Sequence, residues 1–294
     1  MALISPDFDA FFRRVIPAIA PYLGDLVIAG GCANALYRSH PVARPTHIPQ
    51  PGTKDLDLAC KAGPLPSVNR PPLIDLLRAA GLNAKLFGES HPPVMKFTVA
   101  GAESGPEVEM LCPLLGAPRR RGQAEALAIT LQDGGVTAQP LRYLDLLLFE
   151  PWTIDVAGVP GFDDLAGLPP LRIPHPMTYV MQKVLARDEW GRAPQKIEKD
   201  CYYIYEVSVV FRDAIDTLVA VLPGVTREFP RSWIDRFARG IESLFRAPAS
   251  EGPVSAVRVA GAAAIGIGDA PRISEAMVHA SVGRLIAGIG PLVK

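Results

Sequence analysis

Phe8, Phe11, Phe12, Val15, Ile16 and Ile19 recur at intervals of three and four, which predicts an amphipathic first helix over 8–22. The pattern then changes. Leu26-Val27-Ile28-Ala29 is a continuous apolar run that stops at Gly30-Gly31, and Ala33, Ala35, Leu36 and Tyr37 resume at helical offsets, so a buried strand passes through a glycine turn into a helix. Beyond a proline-rich loop at 41–52, Thr53-Lys54-Asp55-Leu56-Asp57-Leu58-Ala59-Cys60 reads as a second strand. Pro71 to Ala80 reads as a helix with proline at its start and Gly81 past its end. Strand patterns follow at Leu82 to Phe87, Pro93 to Ala100 and Glu107 to Leu111, while 124–131 fits a strand or a helix equally. From Pro140 onward the spacing is mostly helical, over 140–149, 176–187, 195–211, 213–221, 231–246 and 273–287. The expected fold class is therefore α+β: a small mixed sheet flanked by helices over 1–157, then a mainly helical part over 158–294. The Pro/Gly-rich stretch 158–176 is the expected joint.

Composition narrows the class. The 294 residues are 49% hydrophobic and 20% charged, ordinary values for a folded chain and unlike a disordered segment or a coiled coil. Thirty basic and thirty acidic residues give net charge +0, so no global basic field drives indiscriminate binding to nucleic acid, and any polyanion contact has to be local. The four cysteines, Cys32, Cys60, Cys112 and Cys201, lie far apart with no CxxC pair, which points to a reduced cytoplasm. MALISPDFDAFFRR lacks the order of basic start, apolar run and small-residue cleavage site, so no secretion signal is expected. Val254 to Gly268 is apolar but interrupted by Arg258 and shorter than the ~20 residues that span a bilayer, so no membrane segment is expected either.

The chemistry concentrates in Asp55-Leu56-Asp57. Two carboxylates two apart on a strand project from one face while Leu56 and Leu58 face the core. Their mutual repulsion is resolved by a cation, and a hard ion that shares its shell with phosphates, Mg²⁺, suits such oxygen donors. In Val108-Glu109-Met110-Leu111, Glu109 stands alone between apolar neighbours on a second strand and can face the same ion; Glu107 has the same parity but stands at the strand entry. By itself Asp-x-Asp also describes an ordinary solvated strand face. Upstream, Gly30-Gly31 turns a strand into a helix and aims backbone N–H groups and the positive end of a helix dipole outward, a cradle for phosphate. The spacing is neither a dinucleotide fingerprint nor a P-loop.

Taken together, Ile28-Ala29-Gly30-Gly31, Asp55-Leu56-Asp57 and Glu109 resemble the signature of the DNA polymerase beta-like nucleotidyltransferase superfamily. Gly30-Gly31-Cys32-Ala33 and Thr53-Lys54-Asp55-Leu56-Asp57 are similar to the form found in bacterial nucleotidyltransferase-fold proteins related to abortive-infection toxins. Such proteins carry a later lysine, an arginine and a Lys-Asp pair, which Lys183, Arg187 and Lys199-Asp200 resemble within a likeness covering roughly 26–211. The resemblance implies Mg²⁺-dependent transfer of a nucleotide from an NTP to an acceptor hydroxyl on RNA such as tRNA, or on a protein, and leaves open a toxin-like role with a cognate antitoxin. Asp55, Asp57 and Glu109 would hold two Mg²⁺ ions, with Mn²⁺ as a substitute, and Glu109 would take the hydroxyl proton. Gly30, Gly31, Thr53, Lys183, Arg187, Lys199 and Asp200 would serve the nucleotide. Two alternatives stand beside this reading: a small-molecule nucleotidyltransferase, and an idle fold acting as a binding or regulatory module.

The chain departs from the family pattern in four respects. Gly31 replaces a phosphate-touching serine, and the interval from Gly31 to Asp55 is lengthened by the proline-rich loop. Either Arg38 or Arg44 corresponds to the arginine that relatives place before the threonine, and Glu109 stands where aspartate is common. Arg119-Arg120-Arg121 fits either a contact to RNA phosphate or, more commonly for a basic run, a solvated turn; the five histidines lack ligand spacing, and 248–294 shows no functional signal.

Overall fold

The computed structural model describes residues 3–63, 65, 69–88, 93–101, 104–114, 129–131, 136–188, 193–265 and 270–293. The Arg119–Arg121 run and most of 124–131 lie outside the described residues. The chain divides into two compact units, Met1–Leu36 with Thr53–Pro174, and Tyr37–Gly52 with His175–Lys294.

The first unit is built on a mixed sheet. Helix α1, Pro6–Ala18, begins where the Ser5 side chain accepts from the Phe8 N–H at 3.2 Å, with proline at its first position and Asp7 and Asp9 in its first turn. It buries Phe8, Phe11, Phe12, Val15 and Ile16, and a separate 3₁₀ turn at Ala20–Tyr22 completes the apolar stretch that reads from sequence as one helix over 8–22. Phe12 meets Phe162 edge-on at 5.3 Å inside this core. Strand β1, Val27–Ile28, leads into helix α2, Gly30–Leu36, and β2 covers Asp55–Ala59. After α3, Leu73–Ala79, come β3, Leu82–Phe87, β4, Val94–Val99, and β5, Glu107–Pro113. The sheet order is β1-β2-β5-β4-β3, with β2 parallel to β5 and β4 antiparallel to both β5 and β3.

The reading of 140–149 as helix is corrected by the structure. Thr137–Leu141 is strand β7, parallel to the end of β5 and paired on its other side with β6, Ile129–Thr130; only Asp145–Leu148, helix α4, is helical. Pro140 disfavours a strand from sequence because it removes a ladder donor, yet here the neighbouring strands supply the pairing. Two further strands, β8, Trp152–Ile154, and β9, Leu171–Ile173, pair antiparallel and are too short to show a period.

The second unit is helical. It contains α5, Pro176–Ala186, α6, Pro194–Val210, α7, Ile215–Val219, α8, Leu222–Glu228, α9, Arg231–Phe245, α10, Glu251–Ala263, and α11, Glu275–Val293. Helix α9 buries Ile234, Phe237, Ile241, Leu244 and Phe245 along one face, each contributing roughly 1.5–3 kcal/mol of transfer free energy. A Cβ at Gly240 would lie 2.7 Å from Val184, so the close approach of α9 to α5 depends on the missing side chain. Ser208 on α6 donates to Ser281 on α11 at 3.0 Å. Among the described residues, no helix is long and apolar enough to cross a membrane.

His175 caps α5. Its Nδ1 accepts from the Met177 N–H at 3.2 Å, its side chain is 5% exposed, and burial, aided by nearby His40, lowers its pKa to about 4. The unfolded chain therefore binds a proton between pH 6.5 and about 4 that the folded chain refuses. Stability conferred by neutral His175 is full above pH 6.5 and is lost as pH falls toward 4, by at most about 3 kcal/mol. Melts at stepped pH are expected to show this decline, and His175→Asn, which keeps a capping acceptor but cannot titrate, is expected to flatten it.

Candidate active site

Alternation places the acids. Leu56, Leu58 and Val108 are fully buried, Met110 nearly so, and the residues between them turn to the other face of the sheet. Because β2 and β5 are parallel and in register, Asp55 lies beside Glu107 and Asp57 beside Glu109. Carboxylate oxygens of Asp55, Glu107 and Glu109, all half-buried, lie within 4.8 Å of one another. Glu107, which the sequence places at the strand entry, thus belongs to the cluster: β2 and β5 start level, so both entry residues face the same space.

Asp57 shares the face but is not one of these three converging groups. Its carboxylate approaches the start of α2: a Cβ built on Gly30 would fall 1.8 Å from Asp57 Oδ2, and Gly30 has φ +60°. Glycine is required at position 30 on both counts. Gly30→Ala is expected to displace the Asp57 carboxylate and to destabilise the protein by roughly 1–3 kcal/mol, as read by a thermal melt. The Cys32 thiol in the same helix is pushed well above its ordinary pKa by burial and, next, by the Asp57 charge.

Lys96 on β4 lies against the acidic cluster, and the sequence did not single it out. Its ammonium pairs with both Glu107 and Glu109. Burial works against its charge, yet the bonds to the two glutamates raise its pKa above the ordinary lysine range. Glu109 is held above its ordinary value, first by burial and then by Asp55 and Glu107, with Lys96 pulling the other way. The signal in the sequence was parity: Val94, Lys96 and Thr98 alternate with Met95, Phe97 and Val99.

The donor set fits a divalent cation. Three half-buried carboxylates converge as hard oxygen ligands, and Asp57 stands one step along the same face. Lys96 is the protein's own competing cation. Lys96→Met is expected to tighten Mn²⁺ binding by about tenfold, since it removes one competing charge near the carboxylates; isothermal titration calorimetry would check it.

The remaining residues singled out from sequence fall as follows. Thr53 Oγ1 accepts from the Asp55 N–H at 3.3 Å and shapes the entry to β2. In the helical unit, Lys183 pairs with Asp200 at 3.0 Å, and its ammonium lies 4.9 Å from the Tyr179 ring and 5.7 Å from the Tyr203 ring. Arg187 is paired with Glu251 at 2.5 Å, and Lys199 donates to the Gly52 carbonyl at 2.8 Å. Arg38 and Arg44 differ in kind. Arg38 Nε donates to buried Glu206 at 2.6 Å and Arg38 Nη2 to the Ile48 carbonyl at 3.1 Å, whereas Arg44 makes an exposed pair with Asp213 at 2.9 Å. Tyr202, Tyr203 and Tyr205 are buried, and Tyr202 donates to the Pro49 carbonyl.

A family model described as nucleotidyltransferase matches residues 13–220. No curated protein matches the chain. The family match spans well over half of the sequence and includes both acid-bearing strands and the helices of Lys183 and Asp200, so the chain belongs to the nucleotidyltransferase family, enzymes of nucleotidyl group transfer.

Proposed function

We propose that this enzyme transfers a nucleotide from an NTP to an acceptor hydroxyl on RNA such as tRNA, or on a protein, with Mg²⁺ as cofactor. The convergence of Asp55, Glu107 and Glu109 on one sheet face, with Asp57 beside them, is the observation that carries the reading. Asp55, Asp57 and Glu109 would hold the metal, with Glu107 converging on the same space. Bound Mg²⁺ supplies Lewis acidity toward the phosphate and hydroxyl oxygens.

In the reaction the acceptor oxygen forms a bond to the α-phosphorus as the bond from that phosphorus to the β-phosphate bridging oxygen breaks, and pyrophosphate leaves. The hydroxyl proton passes to Glu109, a carboxylate on the acid-bearing sheet face. Lys183, Arg187 and Lys199 neutralise the triphosphate, and Asp200 orients Lys183 through their ion pair. Gly30 and Gly31 leave only backbone donors at the start of α2. The likeness to abortive-infection toxin relatives supports a toxin-like role with a cognate antitoxin.

The test is incubation with each α-labelled NTP, Mg²⁺ and total RNA, protein or small hydroxyl acceptors. Labelled RNA or protein is the expected product. Label only on a small molecule moves the activity to another acceptor class. Absence of both product and NTP binding identifies an idle fold.

A further inference from the structure

Strands β2 and β5 each carry two carboxylates on the same sheet face, and their outer neighbours differ in charge. Beside β5, strand β4 sets Lys96 opposite Glu109; beside β2, strand β1 brings Val27 and Ile28. Glu109 alone would balance the lysine. Its ammonium nevertheless binds Oε1 of Glu109 and also Oε1 of Glu107, two residues away on the same strand. Register sets Thr98 opposite Glu107, yet the buried Thr98 Oγ1 has no hydrogen-bond partner among the described residues, while Glu107 turns to the lysine. The three side chains are 24%, 20% and 15% exposed in the order Lys96, Glu107, Glu109, and the Phe87 ring lies 5.4 Å from the ammonium.

An ammonium shared by two carboxylates does part of the work of a bridging metal ion. It joins oxygens of two ligands and offsets their repulsion, and it fills the space between them. A magnesium ion binds its oxygens at about 2.0–2.1 Å, so it cannot use the same two Oε1 atoms while the lysine holds them. The lysine is also tethered, and unlike a dissolved ion it does not exchange with the medium. Asp55 and Asp57 on β2, with the second oxygen of Glu109, are then the donors for one divalent ion.

We propose that the Lys96 ammonium stands in the place of a second metal ion, so that the site works with one divalent cation and one lysine. The proposal rests on the nucleotidyl-transfer reading above and gives the metal count of that same site. It departs from the two Mg²⁺ ions that the sequence resemblance implies. Lys96 is a positioning residue here: it keeps its protons, neutralises Glu107 and Glu109, and holds Glu109 where the hydroxyl proton is taken.

Electron paramagnetic resonance of the full chain titrated with Mn²⁺ tests it, first with the metal alone and then with each α,β-methylene nucleoside triphosphate in turn. The wild type is expected to bind one ion and to show an isolated Mn²⁺ signal throughout. Lys96→Met is expected to bind two, with the spin coupling of ions about 3.5–4 Å apart. Lys96→Arg, which keeps the charge, is expected to return to one. Lys96→Gln is a second neutral variant, expected to behave as Lys96→Met, and a thermal melt checks the fold of each. Two ions in the wild type, with or without nucleotide, overturn the proposal and leave nucleotidyl transfer standing. One ion in folded Lys96→Met or Lys96→Gln also overturns it, since Lys96 is then an ordinary structural ion pair. No bound ion in the wild type overturns it together with the metal reading of the site. The one-to-two change without label on any acceptor in the transfer assay supports the place of Lys96 and refutes transfer.

Discussion

Asp57→Asn is expected to lower nucleotidyl transfer by at least about 10²-fold while leaving the melting temperature unchanged or slightly raised. Asparagine keeps the volume of the side chain and one acceptor oxygen against the start of α2, so the close contact at Gly30 is preserved. It removes the negative charge, next to Glu109 in the adjacent strand, that is proposed to serve metal binding. Removing one of four carboxylates from a single sheet face also relieves repulsion, which is why no stability loss accompanies the activity loss. Steady-state rates on an identified acceptor, together with a thermal melt, check both halves. Wild-type turnover in Asp57→Asn would mean that the metal is held by Asp55, Glu107 and Glu109 alone. A matched Glu107→Gln variant, which should then be the inactive one, decides between the two ligand sets.

The parts of this fold visible from sequence are those that carry their own punctuation. Helix α5 starts with Pro176 and its His175 cap, and β3 runs the full Leu82–Phe87 that alternation suggests, because each is specified within a few neighbouring residues. Strands β8 and β9 are not visible, since three residues show no period and their identity comes from pairing with each other across sixteen intervening residues. Strand β7 is hidden for a different reason: Pro140 argues against a strand locally, and only the edges of β5 and β6 override it.

The site divides in the same way. Parity alone puts Asp55 and Asp57 on one face and Glu109 on another strand's exposed side, so the acids can be read from the chain. Lys96 cannot, although its alternation is equally plain. Its role depends on the antiparallel register that sets it opposite Glu109, a quantity fixed by the packed sheet and not by nearby residues. The proline-rich loop before Thr53 looks like an insertion in the sequence. In the structure its carbonyls at Ile48, Pro49 and Gly52 accept from Arg38, Tyr202 and Lys199, which makes it a fastened part of the helical unit.

The second large effect is expected at Lys183. Its side chain is 11% exposed and that of its partner Asp200 is 8% exposed, so the pair is buried, and the ammonium also lies against the Tyr179 and Tyr203 rings. Lys183→Ala therefore does two things at once. It removes a positive charge proposed to neutralise the triphosphate, and it leaves the Asp200 carboxylate buried without that ammonium, an arrangement that costs about 3–5 kcal/mol when a buried pair is broken. Urea unfolding is expected to report the second effect and calorimetric binding of a non-hydrolysable NTP the first. Lys183→Met combined with Asp200→Asn keeps the volume and removes both charges, so it is expected to recover most of the lost stability, because no uncompensated ion remains. Its NTP affinity is expected to stay as low as that of Lys183→Ala, since the neutralising charge is still missing. If the double variant regained NTP affinity together with stability, Lys183 would be a structural ion and the triphosphate would be held by other groups.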